Sequence, residues 1–111
     1  MPRVIHLQIH NDNGTPTLLD LEPGTYVIGR EPTCDIPLTS LGVSRKHASI
    51  VLSEEAIEIE DLGSRSGTWV GDLALKSPVT LPLPASISIG NIQIDLRSKL
   101  SNKAQPQELT N

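Results

Sequence analysis

The feature that most constrains this chain is the period-two recurrence of aliphatic residues in short runs. In "RVIHLQI" the alternating set is Ile5, Leu7 and Ile9. In "AIEIED" it is Ile57 and Ile59, with Glu58 and Glu60 between and after them. In "SISIGNIQIDL" it is Ile87 and Ile89, then Ile92, Ile94 and Leu96 beyond a Gly90-Asn91 turn. Successive side chains of a strand point to opposite faces, so each run has one apolar face, and a one-residue slip would turn that face to water. Turn chemistry separates the runs at Asn11–Gly14, Glu22–Thr25, Ser53, Gly71 and Ser77. Pro32, Pro37, Pro78, Pro82 and Pro84 are hostile to helix interiors. The pattern predicts an all-β fold, an antiparallel β-sandwich or barrel of short strands. "SEEAIEIEDL" from Ser53 holds good helix formers behind a candidate N-cap, but its Ile57/Ile59 alternation assigns it to strand.

A chain of 111 residues favours one domain, large enough to bury a core without disulfides or metal. The domain is expected over residues 1–97. From Ser98 the sequence is polar and aperiodic, which reads as a flexible tail or the start of a linker. With one Trp, one Tyr and no Phe, the core must be Leu, Ile and Val, and base stacking on aromatic platforms is not available. A net charge of −4 argues against wholesale nucleic-acid binding. No window is apolar for long enough to span a membrane, and the opening "MPRVIHLQIH" lacks the apolar core of a secretory signal. A cytoplasmic, monomeric protein is the expectation. The lone Cys34 excludes an internal disulfide and a Cys-rich zinc site. His6 and His10 would lie about 13 Å apart along one strand, too far to share a metal. No phosphate-binding Gly-rich loop or dinucleotide fingerprint is present, so no cofactor is expected.

The distribution of the cations is more informative than their number. Of nine Lys and Arg, four fall in or beside three predicted loops: Arg30 in "GREPTCD", Arg45 and Lys46 in "SLGVSRKH", Arg65 in "DLGSRSGT". A sandwich that gathered these loops at one end would give an acidic protein one basic spot. Hydroxyls of Ser44, Ser64 and Ser66 and backbone N–H groups near Gly63 and Gly67 would join it. Such a group suits a single tetrahedral dianion, because each bond is charge-assisted. The plainer alternative stands beside it: solvated loop cations, a structural His47, and glycines at 29 and 67 that permit tight turns.

At these residues the sequence resembles the forkhead-associated (FHA) domain, a phosphothreonine-recognition module. The likeness runs through "YVIGREPTCDIPL", "VSRKHASIVL" and "IEIEDLGSRSGTWVGD", and closes with "SISIGNIQIDL", covering roughly Arg3 to Arg97 in order. Reading phosphorylated motifs with Arg clusters is an established recognition mode, FHA domains included. The resemblance implies a sandwich of about eleven strands with a threonine-phosphorylated partner bound by loops at one end. It implies that Arg30, Ser44, Arg45 and Arg65 bind phosphate, and that Ser66 meets the peptide backbone. Gly29, His47 and Gly67 would support the site, His47 through internal hydrogen bonds. Where the family usually has Asn-Gly-Thr, this chain has Ser66-Gly67-Thr68, and the Ser hydroxyl offers less than an amide. A module of this kind would be fused to, or recruited by, a catalytic partner.

Two other readings follow from the same residues. Ser44 as nucleophile, His47 as base and Asp35 or Asp61 as orienter would make a hydrolase, but "GVSRK" is not a nucleophile elbow. A scaffold domain binding its partner without phosphate would explain Ser66 and leave Arg30, Ser44 and Arg45 without a reason.

Overall fold

The structure, a computed structural model, describes residues 3–100. It contains eleven strands: β1 (Arg3–His10), β2 (Thr17–Leu21), β3 (Gly24–Gly29), β4 (Ile36–Pro37), β5 (Ala48–Leu52), β6 (Ala56–Asp61), β7 (Thr68–Val70), β8 (Leu73–Ala74), β9 (Val79–Pro82), β10 (Ala85–Ile89) and β11 (Ile92–Leu100). They form a six-stranded sheet in the order β2-β1-β11-β10-β7-β8 and a five-stranded sheet in the order β4-β3-β5-β6-β9. Among the described residues no helix is long and apolar enough to cross a membrane.

The alternation sets the packing. Ile5, Leu7 and Ile9 of β1, Ile57 and Ile59 of β6, and Ile87, Ile89, Ile92, Ile94 and Leu96 of the β10–β11 hairpin all turn inward and are buried. Ile28, Ile36, Ile50 and Leu52 complete the layer between the sheets, so the core is aliphatic. Tyr26 packs at its margin and donates its hydroxyl to the Glu22 carbonyl at 2.7 Å, while Trp69 is half-buried. Glu58 and Glu60 alternate outward on β6. Ser53 serves a tight turn: its hydroxyl donates to the Ala56 carbonyl at 2.8 Å and accepts from the Ala56 N–H at 3.2 Å. A side chain that could have started a helix closes the β5–β6 hairpin instead.

Two features differ from expectation. The β3–β4 pair is parallel, with Ile28 opposite Ile36 and Gly29 opposite Pro37. After β3 the chain loops through residues 30–35 and returns in the same direction. Asp35 holds the return by accepting from the Val27 N–H at 2.8 Å, and Leu38 donates to the Gly29 carbonyl at 2.8 Å. Second, β11 continues past the boundary expected at Ser98: Ser98, Lys99 and Leu100 pair with Ile5, Val4 and Arg3. Polar composition hid this pairing because the polar side chains are used in it. Arg3 Nε donates to Ser98 Oγ at 2.7 Å, and Lys99 Nζ meets Asp20 at 3.1 Å. The rest of the expected tail, residues 101–111, lies outside the described residues.

Candidate functional site

At one end of the sandwich the loops after β3, before β5 and after β6 meet around an open depression of about 570 Å³. Arg30, Ser44, Arg45, Lys46, Arg65 and Ser66 all line it. These are residues singled out in three separate segments of the sequence, and the fold brings them together. Arg30, Arg45, Lys46 and Arg65 are exposed, and among the described residues none has a carboxylate within ion-pair distance.

The backbone beneath them is tightly tied. The N–H groups of Arg30 and Glu31 donate to the carbonyls of Ser44 and Arg45 at 2.9 and 3.3 Å, so the first two loops run side by side. Gly29 permits this approach, since a Cβ there would sit 2.1 Å from the Arg45 carbonyl oxygen. Arg30 Nε donates to the Val43 carbonyl at 2.9 Å, which orients the guanidinium and leaves both terminal nitrogens for the depression.

His47 is fully buried and joins the second loop to the third. Its Nδ1 accepts from the Ser44 N–H at 3.0 Å. Nε2 therefore carries the proton, and it donates to the Gly67 carbonyl at 2.8 Å. Gly67 has φ of +91°, a conformation that suits glycine. This geometry differs from a nucleophile–base pair. The imidazole lone pair faces a backbone N–H, while Ser44 Oγ accepts from the Arg65 N–H at 2.9 Å. A hydroxyl that accepts there keeps its own proton available to donate elsewhere.

The Ser64 hydroxyl and the N–H groups at Gly63 and Gly67 do not serve an outside anion. They serve the loop itself. Asp61 accepts from the Gly63 and Ser64 N–H groups, both at 3.0 Å, and from the Ser64 hydroxyl at 2.5 Å and the Thr68 hydroxyl at 2.7 Å. The Gly67 N–H donates to Ser64 Oγ at 2.9 Å. Asp61 thus takes the Gly63 N–H and the Ser64 hydroxyl, and Ser64 takes the Gly67 N–H, so none of the three is left for an outside anion. Burial works against its charge, but the hydrogen bonds from Ser64, Thr68 and Gly63 outweigh that, and its pKa lies below the ordinary value. The "DLGS" spacing is the signal that could have revealed this role, because an Asp two and three residues before N–H donors forms such turns.

Ser66 also has an internal partner: its hydroxyl donates to the Gly42 carbonyl, tying the third loop to the second. Trp69 Nε1 donates to the Ser66 carbonyl at 3.0 Å. Two further residues passed over in the sequence shape the rim. Ser40 is buried and donates to Asn91 Oδ1 at 3.0 Å, and Asn91 in turn donates to Asp12 at 2.7 Å.

Comparison with known proteins accords with this arrangement. Residues 26–90 match the family model described as FHA domain. The oxoglutarate dehydrogenase inhibitor of Corynebacterium efficiens is 36% identical over 74 residues, covering 67% of this chain and 51% of that protein. The crystal structure of the FHA domain of the CT664 protein from Chlamydia trachomatis superposes with a TM-score of 0.75 at 29% identity, covering 85% of this chain and 96% of that one. A chain from a structural and functional analysis of phosphothreonine-dependent FHA domain interactions gives 0.72 at 29% identity, covering 85% and 95%. The chain spans about half, or less, of the length of the curated relatives it matches. With more than half of its residues matched to the family model and the same two-sheet architecture beneath them, the chain belongs to the FHA domain family.

Proposed function

We propose that this domain captures a threonine-phosphorylated segment of a partner protein and so serves phosphorylation-dependent protein–protein interaction in signalling. The observation that carries this reading is the depression itself: four cations from three loops against one lining carboxylate, Glu31, with no ion pair between them among the described residues, in a chain of net charge −4. A phosphoryl group brings about −1.5 to −2 charges and several strong acceptor oxygens. The terminal nitrogens of Arg30 bind those oxygens, Ser44 donates its free proton, and Arg45 and Arg65 add charge. Ser66, whose proton is on Gly42, meets the peptide main chain as an acceptor. Gly29, His47 and Gly67 hold the loops in register. FHA domains are interaction modules rather than enzymes, and this one catalyses no reaction in this reading. The family likeness favours phosphothreonine over phosphoserine by a factor of roughly tens, the scale of one methyl in a fitted niche.

Titration with one phosphothreonine peptide and its unphosphorylated twin tests the proposal. Tighter binding of the phosphorylated form by at least about tenfold is expected from charge-assisted bonds. Equal binding would replace this reading with the second one, a scaffold domain that ignores phosphate, which the internal engagement of the Ser66 hydroxyl favours.

A further inference from the structure

Leu41 is 97% exposed, well above Leu73 at 61% and Leu18 at 59%. An exposed leucine is ordinary on a protein surface; the position of this one is not. Leu41 lines the same depression as Arg30, Ser44 and Arg65. It also stands at the tip of a turn tied down on both sides. The Val43 N–H donates to the Ser40 carbonyl at 3.0 Å, and the Gly42 N–H donates to Ser40 Oγ at 3.3 Å. Ser40 is anchored to Asn91 across the loop end, and the Gly42 carbonyl is held by Ser66. Ser40 and Val43 are buried at 5% and 1%. The backbone around Leu41 is therefore held from several directions while its side chain stands in water.

We propose that Leu41 is a specificity-determining residue, which packs against an aliphatic side chain of the bound phosphopeptide close to the phosphothreonine. The inference rests on the phosphopeptide reading above. Its reach follows from chain geometry. Leu41 and Ser44 are three positions apart, so their backbones are separated by at most about 10 Å. An extended peptide covers that distance in about three residues. The matching Leu, Ile or Val thus lies within about three residues of the phosphothreonine. Bonds to the phosphate are common to every phosphothreonine peptide, whereas an apolar contact at the rim distinguishes one peptide from another. A backbone already held in place loses little freedom when the side chain it carries is covered.

The test uses polar phosphothreonine peptides in which a single leucine is moved through three positions on either side, each with an unphosphorylated twin. The parent peptide has no leucine. With the wild-type domain, leucine at one or more positions should tighten binding by about three- to tenfold. In Leu41→Ser that gain should fall below about twofold, while affinity for the parent peptide and its dependence on phosphate stay as in the wild type. Leu41→Met should keep most of the gain. The exposed position makes unfolding of these variants a minor concern, and a thermal melt checks it. The proposal is overturned if no leucine position helps the wild type, or if the gain survives Leu41→Ser. Phosphate-independent binding would overturn the functional reading itself, and with it this assignment, whose occupant is defined by the phosphoresidue.

Discussion

The loop end and the outer face of the six-stranded sheet carry charge in opposite ways. On the sheet, His6 meets Asp20 at 2.7 Å and Lys99 reaches the same carboxylate at 3.1 Å. His10 meets Asp95 at 2.8 Å, where Ser86 and Gln93 also donate. At the loop end Arg30, Arg45, Lys46 and Arg65 line one depression without such partners among the described residues. Carboxylates whose oxygens are already taken by neighbouring donors offer little to a partner molecule. Four cations gathered against the single carboxylate of Glu31, with no ion pair between them among the described residues, raise the local potential and are relieved by an incoming anion. Whether neighbouring groups already occupy a charged side chain, more than charge count, separates a solvated face from a binding face.

The strongest way to break this contrast is to remove what holds the loop end together. His47→Ala removes the buried imidazole and leaves the Ser44 N–H without its partner, while the Gly67 carbonyl keeps only the Gly90 N–H at 3.0 Å. An unsatisfied donor costs about 1–3 kcal/mol and the cavity left by the imidazole adds to it, so a loss near 3 kcal/mol is expected by denaturant unfolding, with weakened peptide binding alongside. Lost binding with unchanged stability would instead place His47 on the ligand.

Arg30→Ala should reduce phosphopeptide affinity by about 2 kcal/mol, roughly thirtyfold, with the melting curve little changed. Arg30→Lys should recover only part, since an ammonium lacks the planar fork that lets Arg30 bond Val43 and phosphate together. Isothermal titration distinguishes these outcomes, and full affinity in a folded Arg30→Ala domain would remove Arg30 from the site.

Ser66→Ala deletes the bond to Gly42 and frees the Leu41 turn. A neutral hydrogen bond contributes about 0.5–1.5 kcal/mol, so a few-fold weakening of peptide binding is expected. Unchanged affinity would mean that the third loop does not help to shape the reading surface.

Acid should separate the two regions next. The pKa of Asp61 is lowered in the folded domain, despite burial, by hydrogen bonds from Ser64, Thr68 and Gly63. Its contribution is therefore present above the unfolded carboxylate pKa near 3.9 and is lost as pH falls through the lower folded value. Asp95, held down to about 2 by Ser86, Gln93 and His10, follows the same sign on the sheet face. Acid-induced changes in the amide spectra of residues 61–68 should be blunted in Asp61→Asn and should persist in Asp95→Asn. The opposite result would deny Asp61 its role in the loop.

The smallest effect belongs to Asp20→Asn. Exposed ion pairs contribute about 0–1 kcal/mol, so stability should shift by no more than that, and peptide affinity should not change. A clear loss of affinity would erase the proposed division between the two faces.

The inward faces of β1, β6 and the β10–β11 hairpin were legible in the sequence, because side-chain alternation is a local property that a two-sheet core must respect. Ile57 and Ile59 outweighed the helix formers around them for this reason. The sequence also determined the candidates Arg30, Ser44, Arg45 and Arg65, since charge and hydroxyl chemistry are written in residue type. Tertiary structure decided where each polar group points. Ser64 and the N–H groups of Gly63 and Gly67 were equally suited to an outside anion, and Asp61 and its neighbours took them. Ser66 could have faced a peptide with its proton and faces Gly42 instead. Nothing local marks Ser98 as a strand residue; its pairing depends on β1, nearly the whole chain away. A hydroxyl or an amide states only that it needs a partner, and the choice among partners is made by whichever group the folded chain brings within about 3 Å.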